Sequence, residues 1–393
     1  MKHVVIVGGG ASGIYAGIKL KQTLSDKVEV TILEKNDRIG KKVIASGNGK
    51  CNITNVTPLT KQIYNNKLAF DIYNNYLPTE FISDLNALGL LTTVDTAGRV
   101  YPYSESSNTV MSILLKAIND LGIKVLTSTK VYDIISKENY VLIKTTTGDF
   151  VADSVIISTG SAAFQKEGSA LYNAHLNKLN LYMIPIKSGL VGLKVSTRKE
   201  INPLSSCSGV RQKGLVKLIN SKNEVVFEEY GEIQFKDDGI SGIVIMNAST
   251  VISRSTDKLK LVVDFFSKYK EEELVNMFKK TVSIHDATIG LLNKQLNLKI
   301  IDMLNNKNIE SYFKLAKNFE IKYISTYELD KAQVAIGGVD IECVNSDLSL
   351  KTNKNIYITG ELLDIDGLCG GYNLHLAFAS GKIVSDAISK LYR

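Results

Sequence analysis

Cysteine is scarce in this 393-residue chain, and the four present, Cys51, Cys207, Cys343 and Cys369, lie far apart. They form no CxxC pair and no metal-ligand spacing, which excludes a disulfide framework and points to a reducing, cytoplasmic setting. No apolar run approaches the ~18 residues of a membrane span. No basic run or aromatic-interleaved patch accompanies the net charge of +7. That charge suits an anionic small molecule, and nucleic acid is not expected as a partner. HExxH, a Walker loop and the GxSxG elbow are all missing, so zinc proteolysis, P-loop chemistry and serine-hydrolase chemistry are not indicated. There is no internal repeat and no low-complexity tract. No cleaved leader is expected, because the apolar run from residue 4 has a structural use.

That run, Val4-Val5-Ile6-Val7, ends in Gly8-Gly9-Gly10-Ala11-Ser12-Gly13. A helical pattern follows to about Leu24, and a second apolar run, Val28 to Leu33, closes on Glu34. This is strand, glycine turn, helix, strand, acid, the order of a dinucleotide-binding unit. Gly8 permits the tight turn, Gly10 lets the backbone approach a pyrophosphate, and Gly13 lets helix and strand pack closely. The helix N-terminus presents N–H groups and a positive dipole end to phosphates. Glu34 stands about 20 residues past the last glycine, where a carboxylate can accept ribose hydroxyls. A second GxGxxG is absent, so no separate nicotinamide domain is visible; NAD(P)H would dock transiently.

The texture is α/β over 1–185 and again over 330–393, which predicts one domain built from both ends of the chain. Residues 186–265 read as an inserted β-rich domain, with a further strand near 320–330, and 266–320 read as a small helical subdomain. Near the C-terminus a strand ends in Gly360-Glu361, a glycine-rich loop follows, and a helix begins near Asn373. A carboxylate at a strand end can accept hydroxyls of a ribityl chain. A helix N-terminus over Gly370-Gly371 favours the negative charge that a flavin's pyrimidine edge gains on reduction.

The segments GGGASG (8–13), SGNGKCNITN (46–55), GRVYP (98–102), STG (158–160), DDGISG (237–242), AIGGV (335–339) and GELLDIDGLCGGYNL (360–374) run through the whole chain in order. With them the sequence resembles the BaiN/YhiN-like flavoproteins, also labelled the aminoacetone oxidase family of FAD-binding enzymes. The resemblance implies a two-dinucleotide-binding-type Rossmann-like FAD domain, an inserted β-barrel-like domain and a small helical domain. It implies that Gly8, Gly10, Ala11, Ser12 and Gly13 surround the pyrophosphate. By their charge Lys41, Lys42 and Lys50 could help to offset the pyrophosphate, a solvated face being the alternative for Lys41 and Lys42. Glu34, followed by Lys35, would hold the adenosine ribose, and Val131 would meet adenine through its backbone. Ser46, Gly47, Asn48, Cys51 and Asn52 would pass beside the flavin, as would Thr159 and Gly160. Gly360 and Glu361 would take the ribityl chain, and Gly371, Tyr372, Asn373 and Leu374 would cap the ring. Two positions depart from the family: Lys50, where Arg is frequent, and His375, where Gln is usual.

The reading is an FAD-dependent oxidoreductase that passes hydride between a small organic substrate and the flavin, in a cleft facing the inserted domains. Candidate catalytic side chains are His375 as a base, Tyr101 in the pocket, and Lys50. The missing nicotinamide domain leans to oxidation of a small, aminoacetone-like amine with O2 as acceptor. The alternatives are NAD(P)H-dependent reduction of a carbonyl or activated C=C, and a flavoprotein with a partner-binding or RNA-related role.

Overall fold

The computed structural model describes residues 1–60, 63–163, 174–195, 203–279 and 283–393. Two compact units emerge: Met1–Ile186 with Val334–Arg393, and Lys187–Gln333.

The first unit is built on a five-stranded sheet in the order Ile356–Ile358, Ser154–Ile157, Lys2–Val7, Val28–Leu33, Lys124–Leu126. Every pairing is parallel. The strands are short apolar runs without alternation, and Val4, Val5, Ile6, Val155, Ile156 and Ile157 are fully buried. A strand covered on both faces reads this way. Each such side chain contributes about 1.5–3 kcal/mol of burial. The first strand is central: later strands were added to both its sides, so the order reverses beside it. The first helix, Ala11–Leu24, and the C-terminal helix, Tyr372–Tyr392, pack on each other. The contact is close at Gly381, where a β-carbon would come 2.4 Å from the Ser12 carbonyl oxygen. Two antiparallel three-stranded sheets, 54–55/99–102/92–94 and 131–136/141–145/148–152, also belong to this unit, with the helices Lys67–Asn74, Pro78–Ala87 and Ser107–Asp120.

The inserted unit carries a seven-stranded antiparallel sheet. Its two edge strands, Phe319–Ile321 and Tyr323–Thr326, are consecutive in the chain, separated by Lys322 alone. The sheet therefore curls back toward itself. Strand Arg211–Ile219 alternates buried and exposed positions, as a sheet with one wet face requires. Two differences from the sequence reading stand out. Ile243–Arg254 is a helix inside the stretch read as β-rich. Its β-branched content disguises a helical period: Val244, Ile245 and Ala248 are buried. The helical stretch also has no core of its own. Leu296, Ile300, Tyr312 and Phe313 share one apolar cluster with Val216, Ile233 and Phe235 of the sheet.

Candidate cofactor and active site

Four chain segments come together at the carboxyl ends of the parallel strands. They are Gly8–Gly13, Glu34, Ser158–Gly160 and Gly360–Glu361. The order reversal beside the first strand makes this the crevice where open parallel sheets bind ligands.

The three motif glycines are each needed for a different reason. Gly8 has φ +107°, and a β-carbon there would lie 2.5 Å from the Ser158 carbonyl oxygen. Gly13 lies against the strand: its β-carbon would sit 2.2 Å from the Gly8 carbonyl oxygen and 3.0 Å from Ile6 Cγ2. Gly10 has ordinary extended backbone, φ −88°. The nearest atom to its β-carbon is 3.9 Å away, so this position faces open space. Ala11 and Ser12 open the helix, whose N-terminus has no side-chain cap. Its first N–H groups are free for an anion.

Glu34 is buried. Its Oε2 accepts from the Gly9 N–H at 2.9 Å, and its Oε1 accepts from the Asn36 N–H at 2.9 Å and the Asn36 side-chain amide at 2.5 Å. Lys35 follows it, half-buried. The Thr129 N–H donates to the Glu34 carbonyl at 2.8 Å, so the strand opening at Val131 starts beside the acid.

The loop 46–52 is strained. Gly47, Asn48, Gly49 and Cys51 all have positive φ, at 57°, 53°, 84° and 58°. Asn and Cys pay a steric cost there, and such costs cluster at functional sites. Ser46 ties the loop, its hydroxyl donating to the Val43 carbonyl at 2.7 Å. Cys51 is fully buried, and burial pushes its thiol up to about 11. It is a packed thiol, not a nucleophile. Lys50 is exposed and paired with Glu105 at 2.5 Å, the hydrogen bond that raises its pKa. Tyr101 sits on the strand Arg99–Pro102 opposite Thr93, close enough to Lys50 and Glu105 for their charges to act on its hydroxyl. Burial raises its pKa.

The C-terminal loop is pinned by Asn373. Its Oδ1 accepts from the Gly367 N–H at 2.8 Å and its amide donates to the Gly367 carbonyl at 2.7 Å. Tyr372 is buried edge-on to Tyr64, 6.0 Å between ring centres, and Leu374 is half-buried beside the core. Gly371 caps the helix with φ 99°. A β-carbon on Gly371 would lie 2.7 Å from Asn52 Oδ1, which is buried without a hydrogen-bond partner.

His375 must be corrected. It is fully buried, its Nε2–H donating to the Tyr76 carbonyl at 2.9 Å and its Nδ1 accepting from the Thr54 hydroxyl at 2.8 Å. Burial lowers its pKa to about 4 against the opposing bond to Tyr76. Both nitrogens are occupied, so it is a core histidine and not a base facing substrate. Lys41 is the second correction. It pairs with Asp37 at 2.7 Å on the outside. Its neighbour Lys42, read together with Lys41 as either a charge offset to the pyrophosphate or a solvated side chain, reaches the strand ends. It donates to the Ser161 carbonyl at 2.9 Å and stands 3.4 Å from Glu361 Oε2. Glu361 Oε1 accepts from the Ala335 N–H at 2.9 Å. Thr159 meets His175 at 3.4 Å, and Gly160 and Gly360 turn with φ 70° and 65°.

The open face at Gly10 over an uncapped helix, and the orphaned acceptor of Asn52 beside the Gly371 turn, fit the phosphate end and the ring end of FAD respectively.

Over residues 2–387 the sequence matches the family described as the HI0933-like protein Rossmann domain. A 3-dehydro-bile acid delta(4,6)-reductase of Clostridium scindens is 28% identical over 99% of this chain and 100% of its own length. A ribosomal RNA dihydrouridine synthase of Haemophilus influenzae is 23% identical over 98% of both chains. Among solved structures, 3-ketosteroid delta1-dehydrogenase from Sterolibacterium denitrificans superposes over 100% of both chains. Its TM-score is 0.50 at 10% identity, a likeness of fold. Among the described residues no helix is long and apolar enough to cross a membrane. The chain belongs to the HI0933-like Rossmann family and is an FAD-dependent oxidoreductase.

Proposed function

We propose that this protein reduces a carbon–carbon double bond conjugated to a carbonyl, with NAD(P)H as the source of electrons. The observation that carries this reading is the pair of full-length relatives. One is named for a delta(4,6) reduction of a 3-dehydro-bile acid and the other for making dihydrouridine. Both names describe saturation of a C=C next to a carbonyl system. The lean to amine oxidation therefore gives way to the reductive alternative. The site supports the change. Oxidising an amine calls for a group to take a proton, and neither His375 nor Cys51 is placed or charged to do so.

FAD supplies the hydride chemistry when bound. The chain's own groups do the rest. Gly8, Gly10, Gly13 and the first helix N-terminus receive the pyrophosphate, Glu34 the ribose, and Glu361 the ribityl chain. Asn373 holds the loop whose Gly371 would face the ring's pyrimidine edge. The Tyr101 hydroxyl would give the substrate's α-carbon its proton. A tyrosine hydroxyl is protonated at neutral pH, and the nearby charges of Arg99 and Lys50 favour the phenolate left behind, against burial.

The test is anaerobic. NADH or NADPH is added to the purified protein while the flavin absorbance is followed, and then a 3-oxo-4,6-diene steroid is added. Bleaching by the nicotinamide and recovery with the steroid are expected. Recovery only with uridine-containing ribosomal RNA would keep the reaction and move the substrate to RNA. Bleaching by aminoacetone alone, with peroxide formed on admitting air, would overturn the reductase reading.

A further inference from the structure

Lys41 and Lys42 are identical neighbours on one five-residue helix, and the fold sends them in opposite directions. Lys41 turns outward to Asp37. Lys42 turns inward, its Nζ 2.9 Å from the Ser161 carbonyl oxygen, 3.2 Å from Ser161 Oγ and 3.4 Å from Glu361 Oε2. The short helix itself hangs from the glycine turn, because the Gly40 N–H donates to the Gly9 carbonyl at 2.7 Å. On the far side, Gly360 lies against Ser12: a β-carbon at Gly360 would be 2.9 Å from Ser12 Oγ. Lys42 thus touches the chain just past two of the five parallel strands while its backbone is tied to a third.

Charge gives this position its meaning. FAD brings two phosphate charges into a crevice that already holds the carboxylates Glu34 and Glu361. The helix N-terminus answers with about half an elementary charge. Lys41 and Lys50 are engaged with Asp37 and Glu105. A partly exposed pair such as Lys42–Glu361 contributes little by itself. The three N–H donors of Lys42 are taken by a backbone carbonyl, a hydroxyl and a carboxylate, so toward a further anion it acts through its charge.

We propose that Lys42 is a side-chain cation of the FAD site. Its ammonium fixes Ser161 and Glu361 at the strand ends and offsets the charge of the incoming phosphates. The inference rests on FAD binding and adds to it Lys42 rather than its neighbour Lys41.

The experiment titrates deflavinated protein with FAD and follows the quenching of flavin fluorescence. Lys42→Met is expected to weaken FAD about tenfold to a hundredfold, the loss that goes with removing a charged hydrogen-bonding partner. Lys42→Arg keeps the charge and is expected within about threefold of wild type, since the contact does not depend on bidentate geometry. The wild-type affinity falls more steeply with salt than that of Lys42→Met. The double variant Lys42→Met, Glu361→Gln is expected to bind FAD no more tightly than Lys42→Met, since Glu361 is itself assigned to the ribityl chain. An affinity within about twofold of wild type in Lys42→Met would overturn the proposal. So would recovery of wild-type affinity in the double variant, because Lys42 would then serve Glu361 alone. Equal thermal midpoints of the apoproteins separate lost binding from lost fold, and Lys42→Gln carries the same test if the Met variant is unstable. Wild-type protein that fails to quench FAD would sink FAD binding itself, a result distinct from a loss confined to Lys42.

Discussion

Gly9 donates its backbone N–H to Glu34 Oε2 at 2.9 Å, so the glycine turn and the acid after the second strand are one hydrogen-bonded unit. The turn proposed to face the phosphates and the carboxylate proposed to face the ribose are positioned together. The contact needs the backbone at Gly9 and nothing larger, because a β-carbon there would lie 2.2 Å from Ile39 Cγ2.

Gly10 and Gly13 separate binding from folding. Gly10→Val places its side chain in open space, since the nearest atom to the new β-carbon is 3.9 Å away. The apoprotein is expected to keep its thermal midpoint and to purify without colour. Gly13→Ala drives a methyl group into the Gly8 carbonyl at 2.2 Å and is expected to cost about 1–3 kcal/mol of stability. Denaturant midpoints and flavin content, measured on both, test the pair. Stoichiometric FAD in Gly10→Val would remove that residue from the site.

His375 makes stability depend on pH with a definite sign. Its pKa falls from 6.5 to about 4 on folding. Above pH 6.5 both states are neutral and the contribution is complete. As pH falls from 6.5 toward 4 the unfolded chain takes up a proton that the folded chain refuses, and stability drops. The integrated loss is about 3 kcal/mol. His375→Gln is expected to flatten this part of the profile in denaturation experiments at pH 7, 5.5 and 4.5. Parallel profiles for the two proteins would show that the imidazole is not buried neutral.

Tyr101→Phe separates the half-reactions. Flavin bleaching by NAD(P)H is expected to proceed unchanged, while reoxidation by the conjugated substrate slows by about a hundredfold, the scale of a lost proton donor. Stopped-flow absorbance reads both. Equal slowing of both halves would assign Tyr101 to flavin positioning.

Cys51→Ala is expected to keep both FAD and turnover, because a buried thiol pushed up to about 11 has no thiolate at neutral pH. A loss of turnover with FAD retained would give the sulfur a chemical role.

Local signals were legible in the chain, and long-range ones were not. The turn at Gly8, the packing of Gly13 and the acid at Glu34 each follow from a few neighbouring residues, and strand 28–33 was read to the residue. Lys41 and Lys42 could not be told apart, because Ser161 and Glu361 arrive from distant segments. His375 reads as a base by its chemistry alone. What makes it a core residue is Tyr76, some 300 positions earlier, and the aromatic packing of Tyr73 and Phe81 around its ring. The helix Ile243–Arg254 was hidden for another reason: its β-branched residues suit a strand, and tertiary burial overrode that preference.

The first unit closes only with Val334–Arg393. At ribosomal speeds of about 5–20 residues per second, strand Ser154–Ile157 waits some ten seconds or more for its neighbour Ile356–Ile358. Throughout that interval the strand's outer edge is unpaired and the first helix lacks the Gly381 contact. The inserted unit is translated in the same interval and holds its whole core within Lys187–Gln333. The nascent chain therefore acquires its insertion first and its cofactor crevice last. FAD capture belongs to the moments after the final helix leaves the ribosome, and truncating that helix is expected to leave a soluble inserted unit attached to an unfinished sheet.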